Sequence, residues 1–167
     1  MDVLVNWLRH TPLSLLFQAH VAWLWPLCES LHFLALSLLI GAAGFFDLRL
    51  LGLLRGVPLL AAWKLIPWAK GALVVNAVTG LVFLVSQPQQ YAMNPSMWCK
   101  MLFLLVAGGN AFVFDMVYRR RLLSLDPHAE TPVGAKVIGG LSLASWFAVL
   151  YFGRMLPYLV PNPLSGV

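Results

Sequence analysis

Four ionisable side chains lie within or beside long apolar runs, and they are the residues best suited to chemistry. They are Glu29, His32, Lys100 and Arg154. Glu29 and His32 are three positions apart, a spacing that puts both on one face of a helix. A charged group in hydrocarbon costs ~2.5 to 3.5 kcal/mol on insertion scales, so such groups normally face a protein interior and pair. We therefore expect Glu29 to pair with Lys100 or Arg154.

His32 is the candidate metal ligand. Imidazole inside a helical bundle is a common axial ligand of heme iron, which makes heme b the cofactor predicted from the residue type. The simpler alternative is a neutral core histidine that is hydrogen-bonded to Glu29 or to a neighbouring helix. A second axial ligand stays open among His20, Met97, Met101 and Lys100, or is lacking.

Sulfur-bearing residues offer a different metal chemistry. Thioether and thiolate ligands favour Cu(I), and Met93, Met97 and Met101 recur at a spacing of four. That spacing is equally typical of an apolar stripe along a helix. Cys28 and Cys99 are the only two cysteines, so a disulfide between them is a further alternative.

The sequence lacks the conventional catalytic motifs. It contains no GxSxG, HExxH, Walker loop or GxGxxG pattern. Hydrolases and ATP-driven machines are therefore disfavoured, and whether the protein is an enzyme at all stays open.

The composition indicates an integral membrane protein. Of 167 residues, 60% are hydrophobic and only 10% are charged, against about 25% charged residues in an average soluble domain. The net charge is +5, but the basic residues lie between the apolar runs and form no stripe with exposed aromatics. Nucleic acid is therefore not an expected partner, and the lipid bilayer is.

Four apolar stretches have the ~20 residues that a helix needs to cross ~30 Å of hydrocarbon. We place the spans at about 25–46, 67–86, 97–117 and 133–157. Short connections predict an all-α, up-down four-helix bundle over 25–160. The preceding segment, 1–24, mixes polar and apolar residues and is expected to be an interfacial amphipathic helix. Asn76 and Asn110 are expected to form structural hydrogen bonds between helices.

The basic residues predict the orientation of the spans. Arg49, Arg55, Lys64 and Lys70 surround the first connection, and 119–121 with Lys136 surround the third. The positive-inside rule makes both connections cytoplasmic, so both chain termini lie outside.

Two segments carry a resemblance to a known family. WPLCESLHFLALSLLIGAAGFFDLRLLG, from Trp25, and WCKMLFLLVAGGNAFVF, from Trp98 to Phe114, resemble an uncharacterised family of small bacterial four-span inner-membrane proteins. The resemblance implies a multi-pass protein of the bacterial inner membrane, and it implies no activity.

A more distant resemblance bears on function. A histidine early in the first helix, followed by small residues and an arginine, and then Trp-x-Lys opening a later helix, is similar to the HemJ-type heme-containing protoporphyrinogen oxidases and to CopD-type copper-resistance membrane domains. This similarity implies that His32 is a heme ligand and that Lys100 is its functional partner.

The leading hypothesis is a redox-associated protein that binds heme b between the outer halves of its helices. His32 would be the axial ligand, Glu29 would orient the imidazole or relay protons, and Lys100 and Arg154 would pair the propionates. One alternative is a small permease or proton-coupled carrier in which these four residues line an outer vestibule. Another is an accessory subunit, as a homo-oligomer or within a larger membrane complex.

Overall fold

The protein is described from a computed structural model that covers residues 23–124 and 130–159. The interfacial segment expected at 1–24 therefore lies almost entirely outside the described residues. Within them, the regular elements are helices: α1 (Leu24–Leu51), α2 (Leu59–Trp63), α3 (Ile66–Ser86), α4 (Pro88–Ala92), α5 (Pro95–Val113), a π-helical turn (Phe114–Tyr118), α6 (Arg119–Leu123) and α7 (Val133–Met155).

The predicted four-helix membrane bundle is confirmed. Four helical stretches are long and apolar enough to cross a bilayer: Leu24–Leu51, Leu59–Ser86, Pro95–Leu122 and Val133–Met155. Their outward surface is apolar, as lipid requires; Leu34 and Leu105, for example, are 68% and 70% exposed.

The first span is longer than the sequence predicts. We expected it to end near residue 46, before Asp47 and Arg49, but α1 continues to Leu51. The two charged side chains do not end the helix because they are buried against other parts of the fold. The helix ends instead at Gly52, whose φ of 86° is the left-handed conformation that glycine adopts without a steric penalty.

Three of the four pairs of neighbouring spans in the bundle pack along each other. Helix α1 packs along both α3 and α7, and α5 packs along α7, but α3 and α5 form no comparable contact in the described parts of the chain. The sequence predicts neighbouring packing for α3 and α5 because their connection is short. That connection contains the helical turn α4, which spaces the two spans apart.

Helix α7 crosses α1 closely at Gly139. A Cβ at Gly139 would lie 2.9 Å from the Leu50 Cβ and 3.0 Å from the Asp47 backbone oxygen. Only a residue without a side chain permits this crossing, which is how small residues let membrane helices approach.

We predict that Gly139→Ala destabilises the bundle by about 1 to 3 kcal/mol, because the added methyl group must push the α1 backbone away. Gly109→Ala is the matched control, since a Cβ there meets nothing within 4 Å. Reversible unfolding of both variants in mixed micelles measures the difference. Equal stability of the two variants would contradict the close crossing.

Candidate ligand site at His32

The candidate site is built around His32, which is buried between α1 and α3. Its Nδ1 lies 2.7 Å from the Thr79 Oγ1. The Asn76 side chain donates a hydrogen bond of 2.9 Å to the His32 backbone oxygen. The sequence leads us to expect a polar partner for the imidazole. That partner is Thr79, and both Thr79 and Asn76 lie on α3.

The hydrogen bonds around Thr79 decide the tautomer of His32. The Thr79 hydroxyl has one proton, and two backbone acceptors lie within reach, the Val75 oxygen at 2.8 Å and the Asn76 oxygen at 3.1 Å. With that proton donated to the backbone, Oγ1 accepts from Nδ1–H and the other ring nitrogen, Nε2, carries a lone pair. With the proton donated to Nδ1, the ring proton lies on Nε2. Nε2 has no hydrogen bond within the described residues.

Packing fixes the plane of the imidazole. The Phe83 ring meets it edge to face, with the centroids 5.3 Å apart. A Cβ at Gly80 would lie 3.5 Å from His32 Cε1, so the α3 backbone passes close to the ring edge. A ring held by packing and by its second nitrogen is preorganised to coordinate a metal through Nε2.

Lys100 contributes a positive charge to this side of the bundle. Its side chain is half-buried, and a Cβ at Gly153 of α7 would lie 3.8 Å from its Nζ. Its charge acts electrostatically on His32. In the described chain, the Lys100 ammonium has neither an ion pair nor a hydrogen bond, which suits it to an anionic group of a ligand.

Glu29 does not meet Lys100 or Arg154 as expected. Glu29 is exposed, and its Oε1 accepts a hydrogen bond of 3.0 Å from Trp25 Nε1 of the same helix. Its expected contact with the imidazole is made by Thr79 instead. The side chain faces the α4 connection, where burial, and secondarily the Glu29 carboxylate, raise the pKa of Tyr91.

Arg154 also lies away from His32. It is exposed, its guanidinium lies 5.6 Å from the centre of the Tyr158 ring, and Nη2 is 3.4 Å from the Tyr158 hydroxyl. The structure therefore brings His32 and Lys100 to the bundle interior and leaves Glu29 and Arg154 on its surface.

Asn110 lies nearer the other end of the bundle and ties α5 to α7. Its Nδ2 donates a hydrogen bond of 2.9 Å to the Ile138 oxygen. Like Asn76, it joins two helices through a backbone acceptor, and it is too far along the bundle to act on the His32 imidazole.

The acidic and basic residues at that end pair only in part. Asp115 and Arg119 do pair, at 3.0 Å on the surface. Asp47 and Arg49 are buried instead, and Arg49 Nε donates to the Val57 backbone oxygen. The exposed pairs that join the connections are Arg55 with Glu130, at 3.2 Å, and Lys136 with Glu130, at 3.9 Å.

The two cysteines do not form the disulfide that the sequence allows. Cys28 and Cys99 are both free thiols, the first buried and the second half-buried. Across residues 23–124 and 130–159, no three His, Cys, Asp or Glu side chains cluster closely enough to hold a metal ion. A metal ion at His32 would therefore need further ligands from a cofactor, as the porphyrin nitrogens of heme supply to iron.

Thr79 is the partner of His32 that sequence analysis did not single out, although small polar residues within spans are expected to form hydrogen bonds between helices. The available signal was its spacing from Asn76, which places both side chains on the same face of α3.

The chain belongs to DUF6644, a family of unknown function, whose model matches residues 6–159. The match covers all four spans and includes every residue of the His32 site. Comparison with the curated proteins and with the solved structures gives no match.

We predict that selectively ¹⁵N-labelled histidine will show His32 as the neutral Nδ1–H tautomer, identified by the signal that His32→Gln removes. Thr79→Val should change the Nδ1 and Nε2 shifts because it removes the acceptor, whereas Thr79→Ser should preserve them. An Nε2–H tautomer in the unsubstituted protein would refute the assignment.

Proposed function

We propose that this membrane protein binds heme b, with His32 Nε2 as an axial ligand of the iron. The observation that carries the proposal is the 2.7 Å contact between His32 Nδ1 and Thr79 Oγ1, since Nε2 keeps a lone pair when Nδ1 is the donor. Metal-bound histidines almost always donate their other N–H to an oxygen acceptor, which orients the ring and raises its basicity.

The charge near His32 supports the same ligand. Heme carries two propionates, and a half-buried ammonium without a protein partner gains most from an anion that arrives with the ligand. Lys100 is therefore the proposed propionate partner. Arg154, which is exposed beside Tyr158, would reach a propionate only at the rim of the bundle.

The proposed role is electron transfer or a related redox process. Bound heme supplies a one-electron couple whose potential depends on the axial ligands and on burial. The chain holds the imidazole, through Thr79 and Phe83, and supplies a positive charge through Lys100. Glu29 is close to the Tyr91 connection and would relay protons at the rim, without orienting the ring.

The proposed location is the bacterial inner membrane with the basic connections in the cytoplasm. Arg55, Lys136 and 119–121 lie at one end of the bundle and Asn94 lies at the other, so the positive-inside rule assigns the first end to the cytoplasm. His32 then lies in the outer half of the bilayer, toward an oxidising compartment.

The proposal predicts a coloured protein. After expression with added heme and purification in mild detergent, the protein should show a Soret band and dithionite-reduced α and β bands. His32→Ala should lose these bands while the helical circular dichroism is retained. A folded but colourless protein would refute heme binding. The carrier and the accessory subunit would then be the remaining hypotheses.

A titration with hemin separates ligation from folding. Thr79→Val should weaken binding about 10- to 100-fold, the usual cost of losing the hydrogen-bond partner of a ligating histidine. Thr79→Ser should restore binding, and Glu29→Gln should leave it nearly unchanged because Glu29 does not contact the ring. Equal affinity of the valine and serine variants would remove Thr79 from the site.

A further inference from the structure

A cavity lies in the other half of the bundle, toward the basic end. Its volume is about 140 Å³, and residues of all four spans line it. The wall is mainly apolar and includes the aromatic residues Phe46, Trp63, Phe114 and Trp146. Because α3 and α5 do not pack closely, the cavity lies on the side where the bundle is open.

One wall residue has an unfilled hydrogen-bonding position. Asp47, in the last two turns of α1, is only 4% exposed, and it lines the cavity. The Ser142 side chain hydrogen-bonds to the carboxyl group. The Asp47 Oδ2 is fully buried and has no hydrogen-bond partner within the described residues.

An unpartnered buried carboxylate oxygen is costly unless something in the site donates to it. Burying a polar atom without a partner costs about 1 to 3 kcal/mol, and more when the atom is charged. Folding has already removed this oxygen from water. A ligand with an N–H donor therefore gains a charge-assisted hydrogen bond to Asp47, and its binding removes little more water from the carboxyl group.

The two other charged wall residues do not fill this position. Asp115 is paired with Arg119 at 3.0 Å. Lys70 is exposed and makes no ion pair with Asp47 in the structure. Arg119 in turn lies 5.6 Å from the centre of the Trp63 ring, so its charge is already engaged at the edge of the cavity.

We propose that this cavity binds a small organic ammonium ion, a primary or secondary amine that carries a single apolar ring or a body of similar size. The ammonium group pairs with the carboxyl group of Asp47, and the apolar body lies among the aromatic side chains.

Size and surroundings both favour this class of ligand. A buried apolar cavity of about 150 Å³ in another protein takes up benzene, so a volume of 140 Å³ suits one ring. Aromatic rings around a cation add attraction through their π-electrons. An amine of this kind partitions into the bilayer and would reach the open side of the bundle from the lipid.

This site is independent of the heme proposal. Asp47 is fifteen residues from His32 along α1, which places it about 22 Å away at ~1.5 Å per residue. None of the residues that hold the imidazole lines the cavity. Loss of one site therefore leaves the other to be tested by itself.

The test uses the full chain in nanodiscs of zwitterionic lipid, so that the lipid surface does not attract the cation. Benzylamine is titrated by calorimetry and by the fluorescence of Trp63 and Trp146, with empty nanodiscs as the blank. We expect saturable binding, and at least a 10-fold loss of affinity in Asp47→Asn, which keeps the size and the Ser142 contact of the side chain.

Asp115→Asn is the matched control. It makes the same chemical change in a second cavity-lining carboxylate that is already paired, and it should alter benzylamine affinity less than 3-fold. Benzyl alcohol, the neutral counterpart, should lose much less affinity in Asp47→Asn than benzylamine does, because its hydroxyl group can hydrogen-bond to either side chain and forms an ion pair with neither. Circular dichroism and size-exclusion chromatography establish that both variants are folded.

A cavity-filling variant tests the location without touching the charge. Ala107 is buried in the cavity wall, so Ala107→Leu should weaken benzylamine and benzyl alcohol alike. The proposal is overturned if the unsubstituted protein binds no benzylamine, if Asp47→Asn binds it as tightly, or if Ala107→Leu leaves both ligands unaffected.

Discussion

The absence of water around the four spans is the constraint on which the rest of this structure depends. Lipid offers no hydrophobic force that would press one apolar helix against another, so association has to come from close packing and from buried hydrogen bonds. Helix α1 uses both: it meets α7 through the missing side chain of Gly139, and α3 through the Asn76 bond to the His32 oxygen. The helix that carries His32 and Asp47 is thereby held on two sides.

The same constraint makes the buried polar groups informative. In water, a threonine beside a histidine would be one solvated contact among many. Here the one proton of the Thr79 hydroxyl is shared out between its own helix backbone and the imidazole, both within hydrogen-bond distance. The position of that proton governs the tautomer of a residue on the neighbouring helix, and Asp47 is conspicuous because one oxygen of its carboxyl group has no partner in the described chain.

The sequence predicted the fold well because lipid imposes a simple rule on length and hydropathy. It failed where a polar residue was judged by charge alone: Asp47 and Arg49 were expected to end the first span, yet both are buried. It also placed Glu29 and Arg154 inside, because depth along a helix is readable from sequence but rotation about its axis is not when the helix is apolar on every side. Glu29 has a partner on its own helix, Trp25, and Arg154 has one in the turn after α7, Tyr158, and both side chains remain on the surface.

The two halves of the bundle consequently differ in which polar groups they leave without a hydrogen-bond or ion-pair partner. Near His32, the polar groups without a partner in the described chain are the ring nitrogen Nε2 and the Lys100 ammonium. Near Asp47, the group without a partner is a carboxyl oxygen beside an aromatic wall. The side between α3 and α5 is not closed by packing of these helices, whereas His32 lies between α1 and α3, which pack along each other.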